Sequence, residues 1–101
     1  MIITLFKSRL RDNVDMEQLQ RLGARMYELA SGMPGFISYR EFASGDGESL
    51  AIVEFASEAE LLAWRNHPEH VRAQALGRTQ FFAEYHIQVC AQVRSYKFVH
   101  D

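Results

Sequence analysis

The segment Leu50–Ala56 (LAIVEFA) is apolar at nearly every position, and it constrains the fold more than any other part of the chain. Its β-branched and aromatic composition predicts a strand. Successive side chains of a strand point to opposite faces of the sheet, so Leu50 and Ile52 share one face while Val53 and Phe55 share the other. A strand that is apolar on both sides must be covered on both sides. The fold therefore needs two layers against its sheet.

The other elements follow from periodicity and from helix start and stop signals. A capping box at Asp15 and Gln18 begins an amphipathic helix that ends at Gly32, and a second capping box at Ser57 and Glu60 begins a helix that Pro68 interrupts. We expect that helix to restart at Pro68 and to stop at Gly77. Strands are predicted over residues 2–10, 36–43 and 50–56, with a hairpin loop over 44–48, and a long last strand is predicted from Phe81 onward with a β-bulge near Arg94-Ser95.

This order of strands and helices predicts an α+β fold of the ferredoxin-like type. The order βαββαβ is that of a split βαβ fold with a four-stranded antiparallel sheet. A chain of 101 residues has room for one core, so residues 1–101 are interpreted as a single domain. The two helices can cover one face of the sheet. The second face needs a partner, and we expect that partner to be another copy of the chain in a homodimer.

Composition argues against several classes of function. The net charge of -2 arises from 11 basic and 13 acidic residues that are mixed along the chain, so no basic stripe is present to bind nucleic acid. No apolar run reaches the roughly 18 residues of a membrane span, and residues 1–11 lack the features of a signal peptide, so we expect a cytoplasmic protein. The lone Cys90 cannot form an internal disulfide, and we interpret it as a small buried hydrophobe.

Three stretches of the chain resemble the antibiotic biosynthesis monooxygenase family. These are Met33–Tyr39 (MPGFISY), Val53–His70 (VEFASEAELLAWRNHPEH) and the pair Gly77-Arg78 that leads into the strand of Tyr85. The resemblance spans nearly the whole chain. It implies a dimeric α+β barrel, in which two ferredoxin-like sheets pack face to face and the terminal strand reaches toward the partner.

The resemblance also implies an activity and three site residues. Cofactor-independent oxygenases of this family bind an electron-rich phenol or hydroquinone, help it lose a proton and let the anion pass an electron to dioxygen. The implied ligand is a small aromatic or quinonoid molecule, and no flavin, haem or metal cofactor is expected. Trp64 matches the helix tryptophan of the family, His70 falls where a polar or aromatic pocket residue occurs, and Arg78 takes the place of a positive charge near the cavity. We expect His70 to be the base, because histidine titrates near neutrality.

One position departs from the family pattern, and four other interpretations stay open. Glu60 stands one turn before Trp64, where these oxygenases can carry an asparagine. The haem-degrading branch has an asparagine in its first strand, where this chain has Ser8, yet His67 or His70 could still ligate iron. The same two histidines could hold another metal ion, although Pro68 breaks the helical register between them. Trp64 could be a core residue only. The domain could also be a non-catalytic module that binds a small ligand.

Overall fold

The computed structural model describes residues 1–101 and contains the predicted elements in the predicted order. The elements are β1 (Ile2–Leu10), α1 (Met16–Ser31), β2 (Phe36–Ala43), β3 (Ser49–Phe55), α2 (Glu58–Arg65), α3 (Pro68–Leu76), a π-helical turn (Gly77–Phe81) and β4 (Phe82–Ala91). The four strands form one antiparallel sheet in the order β2-β3-β1-β4. The prediction of a ferredoxin-like α+β fold is therefore confirmed.

Side chains that precede each helix determine where the helices begin. The Asp15 carboxylate accepts a hydrogen bond from the backbone N–H of Gln18, at 3.1 Å, and the Ser57 hydroxyl accepts one from the backbone N–H of Glu60, at 3.2 Å. Both predicted caps are present. α3 starts at Pro68 as predicted, because proline has no N–H to leave unpaired at a first helical position. No helix of the structure has the length and apolar character that crossing a membrane requires.

The core lies between the helices and one face of the sheet. Val53 and Phe55 of β3 pack there against Ala30 of α1 and against Leu61 and Trp64 of α2. All five residues are buried. The alternation predicted for β3 thus places its most buried side chains under the helices.

The opposite face of the sheet has no helix over it. It carries Ile3 and Leu5 of β1 together with Leu50 and Ile52 of β3, in a register that pairs Leu5 with Ile52. These four apolar side chains are only half-buried in one copy of the chain. We call them the open face.

The last strand is shorter than predicted. Ile2 at the start of β1 pairs with Ala91, and the last bond of the ladder runs from the N–H of Gln92 to the carbonyl of Met1. Beyond this point β4 has no neighbouring strand in the chain, so the predicted extension of β4 and its bulge near Arg94 are wrong. The register irregularity instead lies at the other end of β4, opposite Arg9 and Leu10.

Residues 92–101 form neither helix nor strand, and their apolar side chains are exposed. The exposed fraction is 83% for Val93, 87% for Tyr96 and 86% for Phe98. Cys90 is also exposed, because it lies on the edge strand β4 and points away from the helices, so its interpretation as a buried hydrophobe is wrong for this chain. We call residues 92–101 the tail.

Two neighbouring leucines of α2 provide a test of the core. Leu61 is 1% exposed and belongs to the core, whereas Leu62 is 41% exposed. We expect Leu61→Ala to lower the free energy of unfolding by about 2 to 5 kcal/mol, because it leaves a cavity in packed surroundings. Leu62→Ala in the same helix should cost well under half of that loss. Urea denaturation of both variants measures the difference, and equal losses would contradict the packing described for α2.

Candidate functional site

A cavity of about 890 Å³ lies between the helix-covered face of the sheet and the helices α1 and α3. Its volume falls in the range of about 300 to 1,000 Å³ that is usual for sites that bind small molecules. Most of its wall is apolar, and it is rich in aromatic rings. The aromatic residues that line it are Phe6, Tyr27, Tyr39, Phe42, Trp64, Phe81, Phe82 and Tyr85. The three residues predicted from the sequence, Trp64, His70 and Arg78, line this same cavity.

Trp64 belongs both to the core and to the cavity wall. It is only 5% exposed, and its ring lies 5.7 Å from that of Phe55 and 4.3 Å from that of His70, measured between centroids. Its indole Nε1 is buried and has no hydrogen-bond partner. A buried N–H without a partner costs free energy, about 1 to 3 kcal/mol.

His70 lies on α3, edge-on to the Trp64 ring. Its Nδ1 is 2.7 Å from the side-chain nitrogen of Gln74, one turn further along the helix. The pKa of His70 is lowered to about 4, first by burial and then by the charge of Arg65, with a smaller contribution from His67, while the Arg65 carbonyl opposes the shift. The expectation that His70 titrates near neutrality is therefore wrong. The ring is neutral at pH 7 and is a weaker base than a free histidine.

Arg78 is placed by the π-helical turn that follows α3. α3 ends at Leu76 with Gly77 as its C-cap, as predicted, and the chain then continues into this turn before β4 begins at Phe82. The guanidinium of Arg11 donates hydrogen bonds to the carbonyls of Arg78, Thr79 and Phe82 and so holds the turn. A side chain at Gly77 would put its Cβ 2.8 Å from the Phe82 ring, which explains the glycine. Arg78 itself is exposed, and its side chain makes no hydrogen bond or ion pair.

Sequence reasoning missed several polar residues of the cavity. Thr4 and Ser8 lie on the buried side of β1 and are each 6% exposed, and the Thr4 hydroxyl has no hydrogen-bond partner. Their alternation with Phe6 along β1 was the signal that could have found them. Tyr39 also lines the cavity, and burial, together with the nearby Glu41, raises the pKa of its hydroxyl to about 12. The Tyr39 hydroxyl therefore stays protonated at pH 7.

Two other residues singled out from the sequence have structural contacts away from the cavity. Glu60 accepts a hydrogen bond from the Ser57 hydroxyl at 3.0 Å and packs against Gly35, where a Cβ would lie 2.2 Å from the Glu60 Cδ. The Nδ1 of His67 accepts a hydrogen bond from the N–H of Glu69, at 3.1 Å, and caps α3. No group of three or more His, Cys, Asp or Glu side chains is arranged to hold a metal ion.

The arrangement suits a flat, mostly apolar ligand that carries an oxygen. Aromatic rings provide the walls, and the side chains of Tyr39, His70 and Arg78 provide polar groups among the lining residues. His70 is neutral, and the positive charge of Arg78 stands at the exposed rim. Such a site can stabilise negative charge that develops on the oxygen of a bound ring.

Comparisons with known proteins agree with this architecture. The model of the family described as antibiotic biosynthesis monooxygenase matches residues 1–76. The uncharacterized protein YqjZ of Bacillus subtilis (strain 168) is 31% identical over 65 residues, which cover 64% of this chain and 57% of YqjZ. The matched part of the chain thus spans a little over half the length of that relative.

Solved structures share the fold at low sequence identity. A variant of SnoaB, a cofactor-independent oxygenase from Streptomyces nogalater, superposes with a TM-score of 0.78 at 10% identity, over 93% of this chain and 94% of SnoaB. A dimeric ferredoxin-like protein of unknown function from Thermobifida fusca superposes with a TM-score of 0.71 at 20% identity, over 90% of each chain. Likeness at these identities shows a common fold.

The lowered pKa of His70 makes stability depend on pH in a defined window. As the pH falls below about 6.5 the unfolded chain takes up a proton on this histidine, whereas the folded protein does so only near pH 4. We therefore expect the free energy of unfolding to fall between pH 6.5 and pH 4. His70→Gln should remove this part of the pH dependence, and His100→Gln at the exposed tail should not. Urea denaturation at several pH values measures it, and an unchanged slope in His70→Gln would contradict the burial described here.

Proposed function

We propose that this chain, which belongs to the antibiotic biosynthesis monooxygenase family, is a small cofactor-independent monooxygenase that acts on an aromatic or quinonoid molecule. The observation that supports the proposal most is that Trp64, His70 and Arg78 all line the same cavity. An apolar cavity with a few convergent polar groups is the usual form of a small-molecule site. The oxygenase SnoaB, which has the same fold, supports the assignment.

The proposed reaction needs a phenolate. A phenol has a pKa near 10, so at neutral pH a site must favour loss of its proton. We assign this task to His70, acting either as acceptor of the proton or as hydrogen-bond donor to the anion, and to the positive charge of Arg78. One phenol and one dioxygen together contain the same atoms and electrons as one quinone and one water molecule, so the reaction balances without an added reductant. The substrate therefore supplies all the electrons, one oxygen atom enters the product, and the other leaves as water.

Oxygen uptake tests the proposed activity. Purified protein free of flavin, haem and metal should consume dioxygen in the presence of a hydroquinone or polyphenol, measured with an oxygen electrode between pH 5 and pH 9. Removal of an acid–base group or of an oxyanion donor typically lowers a rate at least about a hundredfold. We expect a loss of that size in His70→Ala and a smaller loss in Arg78→Gln, because Arg78 is exposed.

His100→Ala is the matched control, since this histidine lies in the exposed tail. It should keep the wild-type rate. No uptake above the uncatalysed rate for any compound would contradict the oxygenase. If the compounds bind without oxygen uptake, the result favours the alternative interpretation, in which the domain is a non-catalytic module that binds a small ligand.

We also propose that the chain works as a homodimer in the cytoplasm. Ile3, Leu5, Leu50 and Ile52 form an apolar open face that one copy of the chain leaves half-covered. The exposed apolar residues of the tail lie beyond the end of β4 and are available to a second copy. The Thermobifida fusca protein of this fold is dimeric, which supports the proposal. A single cysteine, with no partner for an internal disulfide, suits a reducing compartment.

Light scattering at micromolar concentration tests the dimer. We expect twice the 11.7 kDa mass of one chain. Ile52→Lys places a charge on the open face, where an apolar partner could not pair it, and should give the monomer mass. Val71→Lys, on the outer side of α3, should remain dimeric. A monomeric wild type would contradict the proposed assembly.

A further inference from the structure

Gln74 connects His70 to the end of α2. Its side-chain nitrogen Nε2 lies 3.0 Å from the backbone carbonyl oxygen of Arg65 and 2.7 Å from Nδ1 of His70. Both contacts are partly buried. One amide nitrogen thus reaches two groups on different elements of the cavity wall.

These two contacts determine the orientation of the Gln74 side-chain amide. A carbonyl oxygen accepts hydrogen bonds and cannot donate, so the Gln74 atom beside the Arg65 carbonyl must be the NH₂ group. The second N–H of that group is then directed at Nδ1 of His70, which must accept it with a lone pair. A neutral imidazole that has its lone pair on Nδ1 carries its proton on Nε2.

The neighbouring ring restricts His70 further. Trp64 lies edge-on to the imidazole, with the ring planes at 64° and the centroids 4.3 Å apart. The amide of Gln74 therefore fixes one nitrogen of His70, and the indole of Trp64 limits rotation of the ring. Both constraints act on a residue that lines the cavity.

We infer that Gln74 is a positioning residue that holds the neutral His70 ring in the tautomer with the proton on Nε2, so that His70 acts as a hydrogen-bond donor. The lone pair that a general base would use is already occupied by Gln74, so the phenol proton leaves to solvent water and not to His70. The use of this donor rests on the proposed function, in which an N–H group stabilises the phenolate oxygen. Gln74→Glu is then the informative change, because a carboxylate at the same place accepts a hydrogen bond instead of donating one.

Nuclear magnetic resonance of the histidine rings tests this inference. Long-range ¹H–¹⁵N spectra of ¹⁵N-labelled full-length protein at pH 7 distinguish protonated from unprotonated ring nitrogens, and His70→Gln identifies the signals of His70. In the wild type we expect a protonated Nε2 and an unprotonated Nδ1. In Gln74→Glu we expect the proton on Nδ1. Gln92→Glu, which adds the same charge on the exposed tail, should keep the wild-type pattern.

A wild-type ring protonated on Nδ1, or the same pattern in Gln74→Glu as in the wild type, would overturn the inference. If Gln74→Glu does not fold, Gln74→Met removes the amide donor without adding a carboxylate acceptor, and the Nδ1 signal should move toward that of an imidazole nitrogen without a hydrogen bond. An unmoved signal would count against Gln74. The spectra do not depend on turnover. If the protein consumes no oxygen, the proposed function fails but the inference about the His70 tautomer does not. If the protein is active and His70 is protonated on Nδ1, the inference fails and the proposed function does not.

Discussion

The break at Pro68 is the constraint on which the cavity depends. α2 packs onto the sheet through Leu61 and Trp64, but α3 buries none of its residues. Proline has no N–H and its ring clashes with the preceding turn, so one continuous helix cannot run through this point. α3 therefore stands away from the sheet, and polar contacts hold it there. Arg25 of α1 donates to both carboxylate oxygens of Glu69, each at 2.7 Å.

The polar groups of the cavity wall differ in how accessible they are. Thr4 and Trp64 each keep a buried polar atom without a hydrogen-bond partner, at a cost of about 1 to 3 kcal/mol per group. His70 is neutral because it is partly buried. The positive charge of Arg78, which the π-helical turn places, lies at the exposed rim of the cavity.

The sequence predicts the parts of the fold that local patterns control. The caps at Asp15 and Ser57, the restart at Pro68 and the two-sided apolar pattern of β3 all depend on nearby residues, and the structure contains them. The end of β4 could not be predicted in this way, because it is set by where β1 begins. The π-helical turn depends on Arg11, 67 positions before Arg78. The low pKa of His70 arises from burial, which the residue type does not reveal.

The central claim is that the cavity beside Trp64 binds a small aromatic molecule that carries an oxygen. The chain has one tryptophan, so its indole N–H gives a single resolved signal in a ¹H–¹⁵N spectrum. Titration of the protein with a hydroquinone under nitrogen should move that signal in a saturable way, because Trp64 lines the cavity and an aromatic ring bound beside it changes the magnetic environment of the indole. An indole signal that stays in place at millimolar hydroquinone would contradict the account.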